Sequence, residues 1–509
     1  MKTSRLALLV VTIGCGTSTG VSRPAHIAAP PPPGLLATIS LGNEAALGPL
    51  RAFVAEVKPD AQQALSGPAL TPKLANAVSA GSLDGLDETS PRYVLWFDDR
   101  AAQGLALVGK FKDPQALAAN LGRATSMAKG QWAVVGAPAV VAKIGRYALD
   151  EFASGSEGAS AAISVYLPQL LNRYRNDIES ARKQLSDGYK AMANGAQMAP
   201  LLDGYVNGIL SMLQDSDLAL VTFRGDKALG GIDIALVPRQ NTRLKTFVGL
   251  QEPSEFKLLQ RLPAAPWMVF AEGRFTSGPY RQGLMEMVAA MYSQADGHAM
   301  MALLNAAMAA ATGDFAFAGQ FSFGKGMEIL QLFQVADANA ITTAVDQFTA
   351  WLGAGKTMMQ MNIKTTLVPA KPASIGGTHV RGYDMTYDVS EVPEAQRTTM
   401  NLMMPGGFGA RLAMVDKLAV VAMSNDPSAG IAKGIAAAGG KTSGFTAAGP
   451  AVALLHTARQ NQDSLAFVMD VGAVLGKTAM PFMMSLGFVG ANAHIRVTVP
   501  SSVLASIIR

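Results

Sequence analysis

The sequence predicts an α+β fold of two homologous units, each a largely antiparallel sheet with helices packed on one face, and a helical-hairpin insertion in the first. Three observations predict it. Apolar runs of strand length recur twice in one order along the chain. Short turns join many of these runs in pairs, as antiparallel neighbours require. The runs also alternate irregularly with helical segments, unlike the strict βα repeat of a doubly wound sheet.

The elements follow in order. LLATISLGNEAALGPLRAFV at 35–54 reads as strand, turn and helix, and WMVFAEGRFTSGPYRQGLMEMV at 267–288 repeats it. Both carry Gly-Pro-x-Arg, as Gly48-Pro49-Leu50-Arg51 and Gly278-Pro279-Tyr280-Arg281. Proline suits a first helical turn, where its missing N–H has no partner to lose. Apolar hairpins come next, 93–99 with 104–111 and 314–323 with 327–335. Asp113 and Asp337 then stand where a carboxylate accepts from the free N–H groups of a helix start, opening helices through Leu121 and Trp351. Third are strands at 132–135 and 418–421, each before an Ala-rich helix; fourth are 162–166 and 466–470, each running into a helix. Strands ending in Val-Pro, 232–238 and 495–500, close the halves. The units are expected at 35–250 and 255–509. Residues 167–214 form the helical-hairpin insertion, with Arg173, Arg175, Asp177, Glu179, Arg182 and Lys183 crowded on its first arm. A solvated face with i,i+4 pairs explains that crowding, and a partner-docking arm is the alternative.

Composition narrows the function classes. Of 509 residues 49% are hydrophobic and 16% charged, well under the ~25% charge of an average soluble domain, which excludes a disordered chain. The net charge of +5 comes with no basic stripe, so nucleic acid is not an expected partner. A single cysteine excludes an intramolecular disulfide framework and a Cys-based zinc site.

That cysteine lies in a leader. Lys2 and Arg5 precede an apolar run at 6–14, too short to span a bilayer, and Cys15 follows. Thr12-Ile13-Gly14-Cys15 resembles the bacterial lipobox, although Thr12 stands where that pattern usually has Leu. The resemblance implies a signal peptide at 1–14, lipidation of Cys15 and membrane attachment through the N-terminal lipid, and Gly16 favours the outer membrane. Ordinary secretion is the alternative. Residues 15–34 end in four consecutive prolines and read as an extended tether. With Leu259-Gln260-Arg261-Leu262-Pro263 before Trp267, the layout resembles a class of bacterial envelope lipoproteins with duplicated α+β units and no assigned activity.

Motifs for catalysis are weak. Gly355-Lys356-Thr357 and Gly476-Lys477-Thr478 lack the opening glycine of a phosphate loop. Gly16-Thr17-Ser18-Thr19-Gly20 matches a nucleophile elbow by letter but sits in the tether. The histidines His26, His298, His379, His456 and His494 have no local metal-ligand spacing. No cofactor, metal or catalytic residue is expected.

The 26 methionines concentrate in the second half. Two Met/Phe stretches broken by Pro and Gly supply the candidate apolar contacts: Met403, Met404 and Phe408, then Phe482, Met483, Met484 and Phe488. Methionine adapts to varied apolar partners, and core packing is the plain alternative. The expectation is a non-enzymatic, membrane-anchored lipoprotein that binds a protein partner or an apolar ligand. An envelope hydrolase and a purely structural scaffold are the alternatives.

Overall fold

The computed structural model describes residues 30–508 apart from 43, 154–161, 192–194, 265–266, 277, 281, 283–300, 302–304, 307, 323–325, 354, 361–362, 391, 393, 395–396, 399–406 and 473–478. The fold is α+β with antiparallel sheet throughout. It divides into two compact units, Met1–Ile178 with Met212–Leu244 and Gly490–Arg509, and Glu179–Ser211 with Lys245–Val489. The units therefore exchange segments relative to the expected bounds: 490–509 joins the first, and 179–211 joins the second.

The first unit opens with β1 (Leu35–Leu41), α1 (Glu44–Val57) and α2 (Gly67–Ala77). Strands β2 (Arg92–Asp98), β3 (Gln103–Lys110), β4 (Thr125–Lys129) and β5 (Trp132–Gly136) precede α3 (Pro138–Phe152). After β6 (Ala162–Tyr166) come α4 (Leu167–Arg173), then α5 (Arg175–Ala191) and α6 (Gly195–Gln214), which from Glu179 to Ser211 belong to the second unit, then β7 (Ser216–Gly225), β8 (Leu229–Pro238) and α7 (Arg243–Gly249), which passes into the second unit at Lys245. The turn between β2 and β3 is built by Asp99, whose Oδ1 accepts from the Ala101 and Ala102 N–H groups at 3.0 and 2.7 Å. Asp113 accepts from Gln115 and Ala116 N–H as expected, yet the segment it starts is a short 3₁₀ turn, Ala116–Asn120, in place of an α-helix.

The second unit contains β9 (Val269–Arg274), β10 (Ala311–Ser322), β11 (Gly326–Val335) and α8 (Ala338–Leu352). Four strands unforeseen in the sequence follow: β12 (Lys356–Gln360), β13 (Ile363–Pro369), β14 (Ala373–Ile375) and β15 (Thr378–Asp388). Then come β16 (Phe408–Val415), β17 (Leu418–Ser424), α9 (Pro427–Ala438), α10 (Pro450–Gln460), β18 (Asp463–Asp470) and β19 (Pro481–Val489). Strand β20 (Asn492–Pro500) and α11 (Ser501–Ile508) return to the first unit. Asp337 caps α8 by accepting from Asn339 and Ala340 N–H at 2.9 and 3.0 Å.

In the first unit the strands lie in the order β4-β5-β3-β2-β1-β6-β7-β8-β20, every neighbour antiparallel. In the second the order is β12-β13-β15-β16-β17-β11-β10-β9-β18-β19, again antiparallel throughout, with β14 beside β15.

Helices do not stay on one face of the first sheet, which corrects the expected layering. Val140, Ile144 and Leu149 of α3 pack with Tyr93, Leu95 and Phe97, while Leu74 and Ala75 of α2 pack with Val94, Leu107 and Val135. Adjacent residues of a strand point to opposite faces, so these two clusters are the two faces of one sheet. All seven residues of β1 are buried for that reason. Its sequence, LLATISL, lacks the strict polar alternation of a sheet with one wet face. In the second unit α9 covers one face, and Gly434 lets the helix approach closely: a Cβ there would lie 2.7 Å from Leu330 and 2.8 Å from Val420. Helix α10 covers the same sheet at β18 and β19.

Candidate functional site

Strand β19 reads Pro-Phe-Met-Met-Ser-Leu-Gly-Phe-Val, apolar at almost every position, and its alternation sorts these residues into two faces. Pro481, Met483, Ser485 and Gly487 are buried, whereas Phe482, Leu486 and Phe488 are half-buried and Met484 is 46% exposed. Strand β18 continues this half-open face, because Leu465, Phe467 and Met469 stand opposite Leu486, Met484 and Phe482. Phe467 in turn pairs with Ala271 of β9, and Ala271 with Phe317 of β10. An apolar face thus runs across four strands of the second unit, with a small residue on β9 flanked by aromatic rings on either side. Further along β19, Phe488 joins an aromatic cluster in which Phe247 lies 5.5 Å from Phe488, 5.2 Å from Tyr280 and 5.7 Å from Phe275.

The expected contact residues divide accordingly. Phe482, Met484 and Phe488 share the half-open face. Met483 is fully buried on the opposite one, because a strand cannot present consecutive residues to the same side. Phe408 starts β16 and is buried, paired with Met385. Met403, Met404 and Cys15 lie outside the described residues. The Gly355-Lys356-Thr357 tripeptide is the turn from α8 into β12, with no helix after it to receive a phosphate, and 476–478 lies outside the described residues. Of the insertion's charges, Arg173 and Arg182 are engaged within the chain, to Asp98 and to Glu179 with Asn207.

Three buried polar groups escaped the sequence reading. In the first unit Asp233 of β8 accepts from His494 Nδ1 at 3.0 Å and from Arg496 Nε at 3.1 Å, both on β20. All three are at most 3% exposed. The Asp–His pair has the arrangement that orients a general base, but water and substrate do not reach it, so its chemistry is that of an ionic lock between strands. In the second unit Glu272 of β9 accepts from Leu258 and Leu259 N–H at 2.8 and 2.7 Å. Burial pushes its carboxyl up to about 7, against the pull of those N–H groups and of the Arg459 charge. Asp98, at the end of β2, accepts from Arg173 Nε at 2.9 Å and Tyr174 Oη at 3.1 Å. Burial works to raise its carboxyl, but Arg173, the Arg100 N–H and Tyr174 together hold it below the usual carboxylate range. Asp233 and His494, 261 positions apart in sequence, illustrate how a pair invisible to spacing arises from strand register.

Among the described residues no three His, Cys, Asp or Glu side chains gather as a metal site would need. Nor is any described helix long and apolar enough to cross a membrane.

No protein-family model and no curated protein matches the chain. Among solved structures, crystal form I of TP0453 is similar at 10% identity and TM-score 0.22, over 49% of this chain and 95% of that one. Crystal form IV of TP0453 is similar at 9% identity and TM-score 0.25, over 52% of this chain and 98% of that one. Likeness at this distance bears on neither fold nor activity.

Proposed function

We propose that the chain is a membrane-anchored lipoprotein of the bacterial envelope, without catalysis, that takes up an apolar ligand on the Phe/Met face of its second unit. One observation carries the reading: Phe467, Met469, Phe482, Met484 and Leu486 share one sheet face and stay half-open, where an apolar strand normally buries both sides or alternates with polar residues. Flexible methionines beside aromatic rings suit a ligand of variable shape, such as an acyl chain. Cys15 supplies the anchor, and residues 15–34 the tether.

The chain is also proposed to be an internal duplication. The order β4-β5-β3-β2-β1-β6-β7 in the first unit matches β16-β17-β11-β10-β9-β18-β19 in the second, strand for strand in sequence order. The helices α5 and α6 and the strands β12 to β15 are then insertions, one in each copy.

Native mass spectrometry of the chain from Gly16 onward, purified without detergent, tests the ligand. A co-purifying lipid near one to one, lost in Met484→Asp, is expected; a clean apo mass would return the methionines to packing. Metabolic acyl labelling of wild type against Cys15→Ala tests the anchor separately. Label surviving in the variant would refute lipidation at Cys15.

A further inference from the structure

In the first unit, the sheet face on which α2 packs is only partly covered. Leu74 and Val78 of α2 pack on Val94 and Ile163, and Phe53 of α1 covers Phe223, with ring centroids 5.6 Å apart. Strand register shows what borders them. Trp96 and Val165 stand on either side of Ala37, and Val221 lies two residues after the Ala219 that pairs with Val165. Val221 in turn pairs with Ile234, and Ile232 with Val497. Paired residues share a face, as do residues two apart in one strand, so these six form a diagonal on the same side as Val94. Trp96, Val165, Val221 and Ile234 are half-buried, Ile232 is 49% exposed and Val497 40%. Five strand spacings across and four residues along put its ends roughly 27 Å apart. The strip is apolar throughout, about one side chain wide, and open along its length.

We propose that this strip is a ligand site of the first unit, holding a long-chain fatty acid with its carboxylate on Arg173 and its chain running from Trp96 toward Val497. Charge complementarity at the Trp96 end argues for that occupant. The Trp96 ring lies 6.1 Å from the Tyr174 ring, and the Arg173 guanidinium carbon sits 5.1 Å from the centroid of Tyr174. Asp98 fixes the guanidinium by accepting from Nε at 2.9 Å, and it holds Tyr174 through the hydroxyl at 3.1 Å. The two terminal nitrogens of Arg173 have no hydrogen-bond partner among the described residues, and the side chain is 25% exposed. A guanidinium so held presents a fixed pair of donors, which matches the two oxygens of a carboxylate. The neighbouring Asp99 is paired with Lys143 at 3.2 Å. A cationic fork at one end of a narrow apolar strip suits an amphiphile with one extended chain and one anionic head. The site is distinct from the Phe/Met face of the second unit, since every residue named belongs to the first.

The test is quenching of tryptophan emission by 2-bromopalmitate in the chain from Gly16 onward, which retains every described residue. Quenching in wild type that is lost in Trp96→Phe is expected, because the bromine sits next to the carboxylate. Palmitate should displace the probe about tenfold or more better than methyl palmitate, since the ester forfeits the charge-assisted bonds to Arg173. That comparison is made on wild type and so does not depend on the folding of a variant. Arg173→Met should abolish the preference, and Ile232→Asp/Val497→Asp, both at exposed positions, should weaken acid and ester alike by about tenfold or more. Absence of quenching in wild type, quenching that survives in Trp96→Phe, or equal displacement by acid and ester overturns the proposal. Loss of quenching in Met484→Asp also overturns it, by moving the ligand to the second unit. Quenching retained in Met484→Asp supports the first-unit site whatever becomes of the second-unit reading.

Discussion

Replacing Asp233 by alanine should destabilise the first unit severely. The carboxylate is 1% exposed and is shared by His494 and Arg496, each at 3%. Its removal strips the counter-charge from beside a guanidinium that burial has cut off from water. Breaking a buried ion pair on one side costs about 3–5 kcal/mol. For a unit of this size each kcal/mol shifts the melting temperature by about 2–4 °C, so a fall of roughly 6–20 °C is expected. Differential scanning calorimetry measures that fall. Hydrogen exchange followed by mass spectrometry should place the lost protection in β8 and β20, which the lock joins. Asp233→Leu combined with Arg496→Met removes both charges at similar volume and should recover most of the loss, because such paired replacements are often neutral. A shift below about 2 °C in Asp233→Ala would refute the ionic lock, and a double variant as unstable as the single one would assign the cost to packing instead.

Three more outcomes follow from the same geometry. Glu272 is held at about 7 in the folded state against an ordinary value of 4.5, so the folded protein binds the extra proton between those values. The contribution of Glu272 to stability should therefore be greatest below about 4.5, fall by roughly 3 kcal/mol as pH rises to about 7, and stay level above; subtracting the pH profile of Glu272→Gln isolates this slope, and two parallel profiles would refute it. Met484→Asp should leave melting nearly unchanged while Met483→Asp prevents folding, since one side chain is 46% exposed and its neighbour 0%; equal effects in thermal unfolding would contradict the two faces of β19. Asp337→Ala should cost about 1 kcal/mol through loss of the α8 cap, read by urea unfolding, and no change would count against the capping bonds.

Much of the fold was legible because it is local. The hairpin of β2 and β3, the cap at Asp337 and the strand–helix passage from β5 to α3 rest on contacts between residues near in sequence, where periodicity and turn chemistry act directly. The order of strands in each sheet needed tertiary structure, as did the membership of β20 in the first unit, because pairing between distant strands leaves no trace in spacing. Strands β12 to β15 were missed since their polar, threonine-rich sequence reads as loop until neighbouring strands take up its backbone groups.

The candidate site shows the same division. Sequence alone singled out the 480–488 stretch as apolar and methionine-rich, and it placed Cys15 in a lipobox-like leader. It could not divide Met483 from Met484, because which parity of a strand meets the core depends on the helix that covers it, here α10. Nor could it reveal that Arg173 serves Asp98 or that Asp233 meets His494 across 261 residues. Composition and periodicity determine which segments are apolar and what local shape they take. Only the packing of distant elements decides which of those apolar residues is covered and which charge acquires a partner, because burial belongs to the assembled layers and not to any residue by itself.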